Sequence, residues 1–313
     1  MKWKATVALV LMSALGCSRQ PTEAPMSHPP PADASVRRDL GAFAERLRAL
    51  HREKRAPGSS DWLASHPERG QTFAEYLATN PNRRTARHTT IYLMPLGEVR
   101  PEHERAFSAT AEFLARYYGL PTERLAAFDL SNVPKGARRV HPSWGDRQIR
   151  TGYLLDEVLL PRRPRDAVAL LGLTTSDLYP SDDFNFVFGQ ASLAERVGVW
   201  SVYRYGDPSA GQTEYQRFLR RTLKVAAHET GHMLGIWHCT AYECAMNGSN
   251  HLAEMDARPV ELCPECVQKA WWATGVDPAT RFAALAEYCE ALGFEDDAGF
   301  YRASLAALQK AKQ

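Results

Sequence analysis

The chain has no cysteine between Ser18 and Trp237. A latency device in which a thiolate from the N-terminal region caps a metal is therefore unavailable, and any enzyme here is expected to be made active. Apart from one short N-terminal run, the sequence has no apolar stretch approaching the length needed to span a bilayer. It also lacks a charge excess: the formal net charge is +2, which gives no reason to expect nucleic acid or an acidic polymer as partner. No internal repeat is visible. What remains is ordinary for a soluble globular protein of one large or two modest domains, with 44% hydrophobic and 24% charged residues.

The N-terminus is informative. Lys2 and Lys4 precede an apolar run from Ala5 to Gly16 that is too short to cross a membrane, so residues 1–17 read as a secretory signal peptide. The run ends Ala14-Leu15-Gly16-Cys17-Ser18, which resembles a bacterial lipobox with Leu one position late. Cys17 is the candidate lipidation site, giving an exported protein held at the cell envelope by a lipid anchor; simple cleavage, giving a periplasmic or secreted protein, is the alternative. Residues 18–36 are rich in Pro, Ala and Ser and read as a flexible linker. Over 37–88 a helical N-terminal extension is expected, with one helix from Asp39 to about Lys54 and another from Thr72 to Thr79. Interleaved Lys, Arg and Glu between Arg46 and Arg55 suit a solvated helical face.

A main domain is expected over 89–275, with C-terminal helices over 276–313. Strands are predicted at Thr89–Leu96, Ala126–Leu130, Ala167–Leu173, Asn185–Gly189 and Val197–Tyr203. Helices are predicted at Glu102–Tyr118, ended by Gly119, at Arg147–Leu159 and at Glu214–Leu234. This order suits an α+β layer with a mixed sheet.

The last of these helices carries His228-Glu229-Thr230-Gly231-His232. Residues four apart lie on one helical face, so His228 and His232 can share one Zn²⁺, and Glu229 can take a proton from a water activated there. Helices with surface histidines also produce this short pattern by chance. The continuation to Gly235 and His238 makes that reading rare: glycine can turn the chain back, so that His238 reaches the same ion. Three neutral ligands leave one position open, as in a catalytic rather than a structural zinc.

Cys239 and Cys244 follow, then Cys263-Pro264-Glu265-Cys266. Four thiolates suffice for a closed tetrahedral zinc that would pin the loop after His238. Two disulfides are the competing reading, favoured by an oxidising compartment, whereas C-x-x-C spacing favours metal. Cys289 lies at helical spacing from Leu285 and Leu292 and suits buried core.

The run from His228 to His238, followed by Cys239, Cys244, Met246 and the Cys263/Cys266 pair, resembles the archaemetzincins, or archaelysin family, of the metzincin clan. Met246-Asn247-Gly248-Ser249-Asn250-His251-Leu252, Arg258-Pro259, the run Thr174 to Tyr203 and Gly70 to Leu77 are similar to the longer members also known in animals. The resemblance implies an α+β fold: a metzincin-like mixed, twisted sheet with an active-site helix, a four-cysteine zinc-stapled C-terminal subdomain and the helical N-terminal extension. It implies a zinc metallopeptidase with two zinc ions per chain. His228, His232 and His238 would hold the catalytic ion, with Glu229 as general base and Met246 as the Met-turn residue beneath the imidazoles. Cys239, Cys244, Cys263 and Cys266 would hold the structural ion. Asn185 to Gly189 would be the edge strand with which an extended peptide pairs. The expected partner is a peptide or protein substrate, met by a monomer that touches the membrane only through its anchor. A non-catalytic, zinc-stabilised envelope scaffold is the rival reading. A restricted peptidase or aminopeptidase is the alternative among enzymes.

Overall fold

The computed structural model describes residues 34–309. The signal peptide, Cys17 and nearly all of the linker lie outside the described residues.

The described chain opens with α1 (Ala34–Leu47), which starts inside the expected linker and buries Leu40, Ala44 and Leu47. After a single 3₁₀ turn come α2 (Trp62–Ser65) and α3 (Phe73–Ala78). Thr72 and Glu75 form a reciprocal capping box at the start of α3, which supplies partners for backbone N–H groups that a helix start leaves free. The first strand, β1 (Thr90–Leu96), is buried at every position. α4 (Pro101–Tyr118) begins with proline and ends at Gly119, whose φ of 62° closes the helix as expected.

Three short strands follow: β2 (Thr122–Arg124), β3 (Arg138–Val140) and β4 (Arg147–Arg150). α5 (Thr151–Tyr153) runs directly into a π-helical segment, Leu154–Leu159. Next are β5 (Ala167–Thr174), β6 (Asp177–Tyr179), β7 (Gly189–Ala191) and β8 (Val197–Ser201). The helices α6 (Gln212–Met233), α7 (Leu252–Ala257), α8 (Pro264–Thr274), α9 (Pro278–Ala291) and α10 (Glu295–Gln309) complete the chain.

The main sheet has the order β2-β1-β5-β8-β7. All its pairs are parallel except β7 with β8, so the sheet is mixed as expected. Its faces are covered separately. Ile91, Leu93, Leu171 and Trp200 pack with α4 and α6, whereas Tyr92, Met94, Leu170 and Val199 pack with Leu154, Leu155 and Val158 of the π-helical segment. Burial on both faces explains why β1 and β5 read as continuous apolar runs. A second sheet, β3-β4-β6, shares the core of the π-helical face through Ile149 and Leu178. Among the described residues no helix is long and apolar enough to cross a membrane.

Three expected elements are corrected. Ala126–Leu130 is not a strand; pairing with β1 falls earlier, at β2, and Phe128 makes only an isolated bridge to Leu96. Arg147–Leu159 is not helical throughout. Its first four residues are β4, because Gln148 turns inward to Asp177 Oδ2 (2.7 Å) and the Asn185 carbonyl (2.8 Å) across to β6. Asn185–Gly189 is not a strand either. The Phe184 and Asn185 carbonyls accept from Arg139 Nη2 at 2.6 and 3.1 Å instead of from a neighbouring strand, and regular pairing begins only at Gly189.

Candidate metal centres and the cleft between them

α6 buries most of its second half, so the residues from His228 to Gly231 sit in the interior. His228 and His232 lie one turn apart with their Nε2 atoms 3.0 Å from each other. Gly235 then adopts φ 82°, a conformation that side-chain-bearing residues rarely take, and a Cβ there would strike Pro81. The turn is closed by Gly235 N–H to the His232 carbonyl (2.8 Å) and Ile236 N–H to the Gly231 carbonyl (3.0 Å). His238 is thereby swung back to the other two rings, and one ligand atom of each imidazole lies within 4.8 Å of the others.

What orients the rings is visible at their far nitrogens. His228 Nδ1 donates to the Ala245 carbonyl (2.8 Å) and His232 Nδ1 to the Ile236 carbonyl (2.7 Å). His238 Nδ1 faces both oxygens of Glu68, at 3.0 and 3.1 Å. A proton fixed on Nδ1 leaves the Nε2 lone pair free, and all three lone pairs converge. Burial holds His228 well below the usual imidazole range and pulls His232 down to about 3, with repulsion between the rings as the next cause. These two are neutral, the state in which imidazole binds metal.

Glu229 is buried beside them, and burial pushes its carboxyl up to about 8, opposed by the charge of Arg258. β7 passes so close that a Cβ at Gly189 would collide with the Glu229 carboxylate. Met246 is fully buried, with its sulfur against Gly231, on the turn between the two helical histidines.

The second group is made of Cys239, Cys244, Cys263 and Cys266, all buried, with their sulfurs within 4.8 Å of one another. Cys239 Sγ and Cys263 Sγ are 3.6 Å apart and all four are free thiols. That spacing suits sulfurs around one tetrahedral zinc at roughly 2.3 Å each. Cys244 Sγ also accepts N–H groups from Cys263 (3.2 Å) and Met246 (3.4 Å). Asn247 ties the loop together, accepting from Cys244 N–H and donating to the Cys239 and Tyr242 carbonyls. Cys289 is buried away from this group, its thiol pushed up to about 12 by burial.

A third cluster, Asp61, His251 and Glu254, was not anticipated. Its atoms are already engaged: Glu254 accepts from Trp62 N–H (3.0 Å) and Asn250 N–H (2.8 Å), Asp61 from Gly58 N–H (2.9 Å), and His251 caps α7. It clamps the N-terminal segment to the loop before α7.

The profile of peptidase family M54 matches residues 165–270, the stretch that holds both candidate metal-binding groups. Archaemetzincin-2 of Homo sapiens is 34% identical over 265 residues, a match spanning 74% of this chain and 72% of that protein. Archaemetzincin of Thermococcus kodakarensis is 32% identical over 184 residues, spanning 57% of this chain and 94% of that protein. The crystal structure of archaemetzincin from Methanopyrus kandleri superposes with a TM-score of 0.51 at 27% identity, covering 62% of this chain and 99% of that one. The chain belongs to the archaemetzincins. It is a zinc metallopeptidase, and its substrate is a peptide or protein.

In this archaemetzincin a cavity of about 500 Å³ opens over His228, Glu229, His232 and His238. Phe184, Phe186 and Phe188 line one side and Trp62 overhangs another. Trp62 also stacks on His66 (centroids 3.9 Å apart), and its Nε1 donates to Glu68 Oε1 at 3.0 Å. The N-terminal segment therefore supplies part of the cleft wall and the carboxylate behind His238. Sequence reasoning missed Glu68 and Trp62 because nothing local marks them; they act across roughly 170 residues of chain. Arg258 also lines the cavity, a residue noted in the sequence only as part of the familial Arg258-Pro259 pair.

Proposed function

We propose that His228, His232 and His238 hold the catalytic zinc through Nε2 and that Glu229 is the general base of peptide hydrolysis. The observation that carries this is the set of three Nδ1 anchors, which leaves three Nε2 lone pairs pointing at one place. Zinc bound there supplies Lewis acidity, polarising the scissile carbonyl and lowering the pKa of a water to roughly 7. Glu229, held beside the rings against β7, receives a proton from the attacking water and passes it to the leaving amine. Met246 supports the floor beneath the imidazoles by packing.

The four cysteines hold a second, structural zinc, for two ions per chain. With four protein ligands it has no open position. β7 is the terminal strand of the main sheet and borders the cavity, so an extended substrate lies along it as an added strand. The charged and apolar pattern of residues 1–17, ending at Cys17, supports export and lipid anchoring at a cell envelope.

The test combines metal content with turnover. We expect near two zinc per chain in both the wild type and Glu229→Ala, with cleavage of a peptide library by the wild type alone. Measurable peptidase activity in Glu229→Ala sinks the general-base assignment.

A further inference from the structure

The wall of the cavity contains a charge that no hydrogen bond or ion pair among the described residues completes. Arg258 is only 4% exposed, and its Nε and Nη1 are buried without any hydrogen-bond partner. Among the described residues no carboxylate lies within ion-pairing distance of it; Glu254, the carboxylate that acts on it most strongly from farther away, is occupied by the backbone N–H groups of Trp62 and Asn250, and Glu229 acts more weakly. A buried, unpaired guanidinium is strongly disfavoured unless something completes it.

Its position is nevertheless built rather than accidental. Lys224, a buried residue of α6 one turn before His228, donates its Nζ to the carbonyls of Met255 (2.7 Å), Asp256 (3.4 Å) and Arg258 itself (2.6 Å). The metal-bearing helix thus fixes the backbone from which Arg258 extends. Ser249, which lines the same cavity, also has a buried hydroxyl without a partner. The surrounding wall, including Val225 and Phe188, is apolar, so it strengthens any charge pairing made there.

We propose that Arg258 is a carboxylate receptor, selecting peptides that place an acidic side chain or a free C-terminal carboxylate next to the scissile bond. The guanidinium offers a planar pair of donors that matches a carboxylate in two parallel hydrogen bonds. Arg258 stays charged near neutral pH despite burial, which draws it down only to about 10. The inference rests on the peptidase reading above, since it names what that cleft accepts. The competing outcome is a structural role, because Cys244 also lies within electrostatic reach of Arg258. Such a structural role would alter metal content or stability but not discrimination between ligands.

Binding to zinc-loaded Glu229→Gln protein tests this without requiring turnover. The probes are alanine-based heptapeptides carrying a single Glu or its amide isostere Gln at each position, and the same peptides with a free or an amidated C-terminus. We expect the acid form to bind about ten- to a hundredfold more tightly in one of the two series. The Glu/Gln series identifies a side-chain carboxylate and the terminal series a chain end. Arg258→Gln should abolish the preference, and Arg258→Lys should retain part of it. If Arg258→Gln does not fold, the wild-type acid/amide ratio and Arg258→Lys still decide. Equal affinity of acid and amide in both series, including no binding of either, overturns the proposal. Peptides cleaved by the wild type without acid preference would remove Arg258 from recognition and leave the hydrolase reading intact. An Arg258-dependent acid preference with no cleavage would do the reverse.

Discussion

Replacing Glu68 by Ala tests whether the N-terminal segment is part of the metal site. Both Glu68 oxygens sit 3.0–3.1 Å from His238 Nδ1, and Trp62 Nε1 fixes one of them from behind. A hydrogen bond to an ionised group contributes roughly 1.5–3 kcal/mol when well shielded. Here the two side chains are 20% and 29% exposed, so solvent screening lowers the figure. About 1–2 kcal/mol remains, and since 1.4 kcal/mol is a factor of ten, zinc at the histidine site should bind about tenfold more weakly. Glu68→Gln retains an acceptor oxygen but no charge and should fall between the two, at about threefold. Competition with a graded series of chelators measures this directly, because a site of four thiolates retains its ion at chelator concentrations that strip three imidazoles. Wild-type affinity in Glu68→Ala would refute the reasoning. So would a loss in the Ala variant with wild-type affinity in the Gln variant, since then the carboxylate charge contributes nothing and only bulk and a neutral acceptor matter.

Two further outcomes follow from the packing. Cys266→Ser should lower zinc content from near two to near one per chain and reduce the melting temperature; unchanged metal content by elemental analysis would return the cysteines to the disulfide reading. Glu261 and Arg281 form a fully buried pair at 3.0 Å, with Arg281 also donating to the Tyr117 carbonyl at 2.6 Å. Glu261→Ala strands the guanidinium and should cost about 3–5 kcal/mol in denaturant unfolding, whereas a loss below about 1 kcal/mol would show the pair to be solvated.

The parts of the molecule that were legible in advance are those whose cause is local. His228 and His232 are set by helical periodicity, His238 by one glycine turn, and the cysteine cluster by spacing on either side of a loop. β1, α4, β5 and α6 were readable because their apolar spacing is uninterrupted, and β1, α4 and α6 also carry proline or glycine at their ends. The stretches misread were decided by distant polar partners. Gln148 draws Arg147–Arg150 into a strand because Asp177 waits opposite, and Arg139 takes the carbonyls of Phe184 and Asn185 out of any ladder. Glu68 is invisible for the same reason: a lone glutamate in a loop acquires meaning only when the fold delivers it behind His238. Arg258 could be seen but not interpreted, since its defining property is the absence of a partner.

These long-range contacts also couple the histidine group to the cysteine group. Each histidine is oriented by a different part of the chain: His232 by its own turn, His238 by the N-terminal segment, and His228 by the Ala245 carbonyl. Ala245 follows Cys244 directly, and its own N–H is held by the Glu261 carbonyl (3.0 Å), two residues before Cys263. The loop that orients His228 is therefore pinned at both ends by the cysteine cluster, and through Glu261 by Arg281 of α9. On the proposed assignment, an ion held by the cysteines would do more than stiffen the C-terminal half, because it would set the carbonyl that fixes the tautomer of His228. Loss of the cysteine site should consequently weaken metal binding at the histidines even though no ligand there has changed, a coupling that two independent zinc sites would not show.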